Sequence, residues 1–429
     1  MVLNVVGSNP INHPKGLGNK ELFPNFVFKP WLSFIVTPAF QKVILHLFNP
    51  ENDLALADGS AAYCAPPAAE RIAFDLASLP LWFARKEGLV YLPGDIHREY
   101  QKEWSKIFDL PAFYNASDSI RVKTLRPWGW SAQMLRRFKA MGFNKEIMPS
   151  ERQINTIRAL SNRRSSIAIL QSLKDAGIDT PVLPRYICDP QKAKEYIESR
   201  EKCVVKAPWS GSGKGIMWGI GRVEKPMENF YRGIIKRQGG VVCEEYLCCK
   251  VEFAMEFFAS AGGVDLAGYS LFNAENGSYC GNTLLGDDGI ISELGKYIPL
   301  VQLDAVRLNL CRILTSMLAG SGYEGYLGVD MMIYEEGASF KLNPCMELNL
   351  RMNMGVVARI FYDNYVQRGK RGCYTVSYYR NSGEALEEHW NKKKEFPLEV
   401  VDAKISRGYL NLSPVSEDTR YVASVLIEG

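Results

Sequence analysis

The pattern of apolar and polar positions switches along this chain between a two-residue and a helical period, with breaks at Gly, Pro and Asn clusters. Residues 42–48, with VILHLF at their heart, read as a buried strand, and the polar run Asn49-Pro50-Glu51-Asn52-Asp53 follows directly. Residues 70–86 carry apolar positions at helical spacing, residues 89–92 form a short strand and residues 133–141 a further amphipathic helix. This is the alternation of a small α/β domain. From Ser150 a helix presents Ile154, Ile157 and Leu160; a second helix ends at Ala176-Gly177, with Pro181 closing the exit turn. Strands at 203–207 and 216–220 flank a glycine-rich loop, and strands at 240–242 and 251–257 follow, separated by a short break. Residues 325–351, GYLGVDMMIYEEGASFKLNPCMELNLR, read as two strands joined by a tight turn at 335–337. Short helix and strand patterns fill 371–429 and end in a strand at 421–427, whereas residues 1–40, rich in Asn, Pro and Gly, show no period and read as a poorly structured leader.

Composition narrows the field. With 429 residues, 47% hydrophobic and 23% charged, the chain has room for two or three domains of ordinary globular make-up. A net charge of +4 from 51 basic and 47 acidic residues argues against a nucleic-acid partner. No uninterrupted apolar run is long enough to span a membrane and the first residues lack the pattern of a secretory signal, so a cytoplasmic protein with no membrane partner is expected. The ten cysteines contain no C-x-x-C pair and are expected as buried reduced thiols; four scattered histidines give little material for a histidine metal site or a Ser-His-Asp arrangement.

The candidate chemistry lies in two places. Glycines at 211, 213 and 215, with Ser210, Ser212 and Lys214, make a loop whose N–H groups can approach phosphate oxygens, and Lys206 adds charge beside it; a plain hairpin turn fits the same residues. The loop is neither a Walker A sequence nor a dinucleotide fingerprint. On the second strand of the 325–351 pair, Glu347, Asn349 and Arg351 at spacing two share a face, with Asp330 on the first strand; carboxylate and amide oxygens in that number suit Mg²⁺. The 49–53 loop sits where ligands bind in open α/β sheets, and a simple Asx-capped turn accounts for it equally well. Large aromatics in Arg126-Pro-Trp-Gly-Trp130 are expected to pack under a loop.

Helix, strand with Lys206, glycine loop, strand, the acidic E-E-Y-L of Glu244 to Leu247, then V-E-F-A-M-E-F, G-V-D-M-M-I and M-E-L-N-L-R: in this order, from about residue 150 to 370, the chain resembles the ATP-grasp superfamily. The resemblance implies an α/β fold, in the α+β two-lobed ATP-grasp arrangement, with a small α/β domain at the N-terminal side. The domains it implies are 41–149 (N-terminal α/β), 150–238 (small lobe with the glycine loop), 239–370 (large lobe with the metal site) and 371–429 (an extension packed on the large lobe). It further implies that Lys206 meets the nucleotide phosphates, that Ser210, Gly211, Ser212, Gly213, Lys214 and Gly215 close over them, and that Glu244, Glu245, Tyr246 and Leu247 form the hinge that binds adenine. Glu252 would meet the ribose hydroxyls. Asp330, Glu347 and Asn349 would hold two Mg²⁺ ions, with Mn²⁺ as the alternative, and Arg351 would face the γ-phosphate or acyl phosphate.

The sequence departs from the family's pattern in two respects, and one stretch admits a second register. Arg163 and Arg164, of which Arg163 is taken for the phosphates, lie nearly one turn earlier than the basic residue that begins this helix in many members. Gly328 stands where D-alanine-type ligases place an arginine, so Arg351 is the candidate for oxyanion stabilisation. A rival register would bring Lys341 into the place of Glu347, where an ammonium ligates no Mg²⁺; the preferred register makes Asn343 to Met346 a bulge. The activity implied is an ATP- and Mg²⁺-dependent ligase joining a small-molecule carboxylate to an amine through an acyl phosphate. A kinase of the same fold and a non-catalytic nucleotide-binding module are the alternatives; all three metal-ligand types being present disfavours the module.

Overall fold

The computed structural model describes residues 43–211, 215–275 and 278–429. The expected leader, residues 1–40, and Ser212, Gly213 and Lys214 of the glycine loop lie outside the described residues. Among the described residues three sheets form. The first is parallel, in the order Ala112–Phe113, Leu89–Val90, Val43–Leu47, Val122–Pro127, and its helices supply the small α/β domain. The apolar block of residues 43–48 is therefore a central strand, buried on both faces as its lack of alternation requires.

The second sheet is antiparallel, in the order Arg185–Ile187, Val241–Glu245, Cys203–Lys206, Ile216–Gly219. It carries the glycine loop between its last two strands, and helices Pro190–Glu198 and Lys225–Gln238 cover it through Tyr196, Ile197, Tyr231 and Ile234. The third sheet runs Ser339–Asn349, Gly325–Glu336, Cys248–Ser260, Gly263–Glu275, Ser278–Leu284, Gly372–Tyr378, Tyr421–Ile427, Lys404–Asn411, Glu399–Val401. A small sheet bearing a glycine loop and a large antiparallel sheet bearing carboxylates, preceded by a parallel α/β domain, is the fold class the sequence implies.

Local chemistry fixes the helix ends that orient the site. Ser150 and Gln153 cap the helix Glu151–Leu160 reciprocally, Ser150 N–H donating to Gln153 Oε1 at 2.8 Å and Gln153 N–H to Ser150 Oγ at 3.3 Å. The helix Arg164–Asp175 ends at Gly177 with φ +82°, where Ile178 N–H returns to the Leu173 carbonyl. Ser166 on that helix accepts from the Leu348 N–H at 3.0 Å, which docks the helix start on the carboxylate strand.

Three expectations need correction. The helix of residues 70–86 is two elements, Pro67–Asp75 and a 3₁₀ turn Leu79–Trp82, because Pro80 has no N–H to continue an α-helical ladder. The break between the strands is Tyr246-Leu247 alone: the second strand begins earlier than expected, at Cys248, and runs unbroken to Ser260. All ten cysteines are free, but only Cys203, Cys243 and Cys345 are buried, and Cys64, Cys188, Cys248, Cys249 and Cys373 are exposed. The Arg126–Trp130 aromatics pack as expected, Trp128 on Phe48 and Trp130 on Phe138.

The first domain is welded to the far end of the large sheet. Trp82, fully buried, contacts Tyr100, Trp104, Phe108, Phe361 and Tyr365 and donates from Nε1 to the Leu412 carbonyl at 2.9 Å. Asp75 accepts from the N–H groups of Arg420 and Tyr421 at 2.8 and 2.9 Å. Among the described residues no helix is long and apolar enough to cross a membrane.

Candidate functional site

Strand pairing builds the first wall. Asp330 lies opposite Glu347 and Gly328 opposite Asn349, while Ala254 and Glu256 extend the same two rows on the next strand. The two-residue period then places Glu256, Asp330, Glu347 and Asn349 on one face. Beyond Asp330 the register slips: residues 344–346 bulge opposite Met331 and pairing resumes at Met332 with Asn343. Lys341 pairs with Tyr334 toward the hairpin turn, where its ammonium meets Glu336 at 2.6 Å, away from the carboxylate rows.

Charge is crowded on this face. Asp330 is held well above the usual carboxylate range, first by burial and then by Glu347 and Glu256. Its one side-chain donor is the Asn349 amide at 2.9 Å, which leaves the Asn349 carbonyl oxygen available. Glu256, 1% exposed, accepts from Ser270 Oγ and Asn353 Nδ2, both at 2.8 Å, and burial pushes its carboxyl up to about 7. Asn353 also caps the helix Met354–Tyr365, so this carboxylate is locked to a helix start. A Cβ at residue 328 would lie 2.5 Å from Glu256 Oε2 and from Asn353 Nδ2. Glycine at 328 is thus the condition for burying Glu256, which explains why no arginine stands there. Among the described residues no group of three His, Cys, Asp or Glu side chains gathers as a metal cluster. The set that fits a hard cation is Asp330, Glu347 and the Asn349 oxygen, where crowded carboxylate charge is what a divalent ion relieves.

The glycine loop meets this wall through one arginine. Arg163, 5% exposed at the start of its helix, donates from Nη1 to Ser210 Oγ at 2.6 Å and to the Ala207 carbonyl, and from Nη2 to Glu347 Oε2 at 2.7 Å. Arg164 turns away and lies 3.4 Å from the centre of the Tyr186 ring. The backbone of the loop approaches closely: a Cβ on Gly211 would fall 2.4 Å from Asp53 Oδ2, and one on Gly215 would fall 2.2 Å from Ser210 Oγ. Trp209 anchors the loop, its Nε1 donating to the Arg158 carbonyl at 3.0 Å and its ring lying under the Arg158 guanidinium.

Asp53, in the first turn of the helix Asn52–Asp58 that begins within the expected 49–53 loop, grips Arg351 bidentately, Nε to Oδ1 at 2.8 Å and Nη2 to Oδ2 at 2.7 Å. The sequence assigns Arg351 to a phosphate; in the structure its fork is taken by Asp53, and Arg163 is the guanidinium that reaches both the loop and Glu347. A small cleft opens here between Asp53, Trp209, Ser210, Glu347, Asn349 and Arg351.

The remaining predicted residues gather around the strand Val241–Glu245. Lys206, 8% exposed, forms an ion pair with Glu244. Glu245 faces Arg200 at 3.7 Å, Tyr246 is exposed under Lys202, and Leu247 is half-buried in the connection to Cys248–Ser260. Glu252 has its carboxyl raised by burial and drawn back down by Lys206, so these two groups share one space. Sequence reasoning misses Asp53 and Glu256. Glu256 has a signal, since Glu252 and Glu256 are four apart on one strand and must share a face.

No family model and no curated protein matches this chain. Solved structures similar to it include N5-carboxyaminoimidazole synthetase from Staphylococcus aureus complexed with ADP, at 13% identity and TM-score 0.45 over 91% of this chain and 94% of that one. A biotin carboxylase β,γ-ATP complex from Campylobacter jejuni matches at 12% identity and TM-score 0.46, over 90% of this chain and 87% of that one. N5-carboxyaminoimidazole ribonucleotide synthetase from Thermus thermophilus gives 12% and 0.46, over 90% and 94%. Likeness at this level carries no argument about activity or ligands.

Proposed function

We propose that the chain is an ATP-grasp enzyme, an ATP- and Mg²⁺-dependent ligase that joins a small-molecule carboxylate to an amine through an acyl phosphate. The observation that carries this reading is the Arg163 bridge, which ties Ser210 of the glycine loop to Glu347 of the carboxylate wall at 2.6 and 2.7 Å. A phosphate placed between loop and wall meets that guanidinium, the N–H groups of a loop that tolerates no Cβ at two positions, and oxygen ligands for a cation.

The roles follow from position. Lys206 and Arg163 hold phosphate oxygens, each exchanging a carboxylate partner for the nucleotide. Glu244 to Leu247 line the adenine side and Glu252 faces the ribose. Asp330, Glu347 and Asn349 would hold Mg²⁺, which when bound supplies neutralisation of charge on the transferring phosphoryl group. The substrate carboxylate attacks the γ-phosphorus and ADP leaves; the amine nitrogen then attacks the acyl carbon, phosphate leaves and the nitrogen gives up a proton. No protein nucleophile is required. Arg351, fixed by Asp53 beside the cleft, stabilises the oxyanion. The free cysteines support a cytoplasmic setting.

The test is a screen of amino acids and small carboxylic acids for substrate-dependent release of ADP and phosphate, with mass spectrometry of the product. A new amide with free phosphate is expected. A stable phosphorylated product would replace the ligase by a kinase, and ATP binding with no ADP release under any substrate pair would reduce the chain to a binding module.

A further inference from the structure

A second opening lies in the parallel α/β domain, on the other side of the helix start that carries Asp53. It is a cavity of about 390 Å³, within the size range of small-molecule sites. Phe48 and Tyr91, each just past the carboxyl end of a parallel strand, form its floor, and ligands of open α/β sheets bind at such strand ends. Tyr63 and Phe74 complete an aromatic lining.

The polar groups that reach this cavity lack partners. Glu51 is only 6% exposed, and its Oε2 has no hydrogen-bond partner; the Tyr63 hydroxyl and the Gln133 Oε1 are likewise buried without one among the described residues. Buried polar atoms are nearly always paired in native proteins, so three orphans around one cavity mark places for a ligand's atoms. Arg137 lines the same cavity, lies 5.3 Å from the Tyr91 ring centre, and makes no ion pair or hydrogen bond among the described residues. Glu70, also lining, carries a second negative charge. Burial raises the Glu51 carboxyl, its own backbone N–H and then the Arg137 guanidinium lower it, and Glu70 raises it further. The cavity thus offers acid at one place, at another a guanidinium over the Tyr91 ring that makes no ion pair among the described residues, and rings around both.

We infer that this cavity binds a small apolar or aromatic amino acid, with its ammonium against Glu51 and Glu70, its carboxylate on Arg137 and its side chain among the rings. A cation alone leaves Arg137 unpaired and an anion alone leaves Glu51 unpaired; only a zwitterion satisfies both. The site is independent of the nucleotide reading, although Glu51 and Asp53 stand at the start of one helix.

Calorimetric titration of the full chain with L-phenylalanine, phenethylamine and 3-phenylpropionate tests this. L-phenylalanine is expected to bind at one site with a dissociation constant below about 1 mM, and each half-charged analogue about tenfold or more weakly. Glu51→Gln and Arg137→Gln should each weaken L-phenylalanine by about tenfold or more. No heat of binding at about 10 mM L-phenylalanine, an analogue that binds equally well, or unchanged affinity in Arg137→Gln overturns the proposal. If buried Glu51→Gln does not fold, Arg137→Gln at its half-buried position and the two analogues carry the test. ATP is titrated separately into the same protein. Loss of ATP binding with L-phenylalanine binding intact strikes the nucleotide reading alone, and the reverse strikes the cavity alone.

Discussion

The cleft between the glycine loop and the carboxylate wall and the cavity of the parallel domain treat charge in opposite ways. Among the described residues, the cations at the centre of the cleft each have a carboxylate: Lys206 with Glu244, Arg163 with Glu347, Arg351 with Asp53. In the cavity neither Glu51 nor Arg137 makes an ion pair among the described residues, and Glu51 Oε2 has no hydrogen-bond partner. Pairs that span separate elements keep buried groups charged and in place, so an incoming phosphate or cation enters by exchange with a partner. Unpaired groups meet their ligand directly. The two regions adjoin at one helix start: Glu51, its N-cap residue, lines the cavity, and Asn52 and Asp53 in its first turn line the cleft.

The sharpest way to break this comparison is at Glu347. Glu347→Gln keeps shape and one oxygen but removes the charge that pairs with Arg163 and would hold the cation. Turnover is expected to fall by roughly 10² or more while ATP still binds, as for loss of one preorganised electrostatic group. Steady-state ADP release beside calorimetry reads both; full activity would remove Glu347 from the site. Next in size, Lys206→Ala should weaken ATP by roughly 1.5 to 3 kcal/mol, the scale of a charge-assisted hydrogen bond, and Arg163→Ala should do the same while freeing the loop. ATP affinity unchanged from the parent chain in both variants would place the phosphates elsewhere.

How much of this was legible in the chain depends on the distance over which residues cooperate. The 325–336 and 339–349 strands follow from alternation and from Gly337 at φ +62°, and the glycine loop from strand patterns on either side. The choice of Arg163 over Arg164 was not legible, since both begin one helix and only the tertiary docking of Ser166 on Leu348 decides which faces the loop. Asp53 and Arg351 are 298 positions apart, and no local pattern announces that pair. Gly328 looked like a missing arginine. It is the space that Glu256 occupies, a packing reason invisible without the neighbouring strand.

A smaller effect sharpens the other side of the comparison. His97, fully buried behind Phe74 of the cavity wall, has Nδ1 on Ser78 Oγ at 2.8 Å, and burial lowers its pKa to about 4. Because the folded pKa lies below the unfolded value of 6.5, the unfolded state binds the extra proton between them. His97's contribution is therefore full above pH 6.5 and falls as pH drops toward 4, which urea titrations at stepped pH would detect as a falling midpoint. An unchanged midpoint across that window would contradict the buried neutral ring. Smallest of all, Lys341→Ala should leave activity unchanged and shift stability by no more than about 0.5 kcal/mol, since it forms with Glu336 an exposed surface pair. A collapse of activity there would restore the rival register.

The central claim is that loop, hinge and carboxylate wall together take ATP with Mg²⁺, and calorimetric titration of ATP into the full chain at millimolar Mg²⁺ tests it most directly. Saturable binding at one site, weakened in Lys206→Ala and retained in Glu347→Gln, is the expected result; no binding of ATP, or binding indifferent to Lys206, contradicts it.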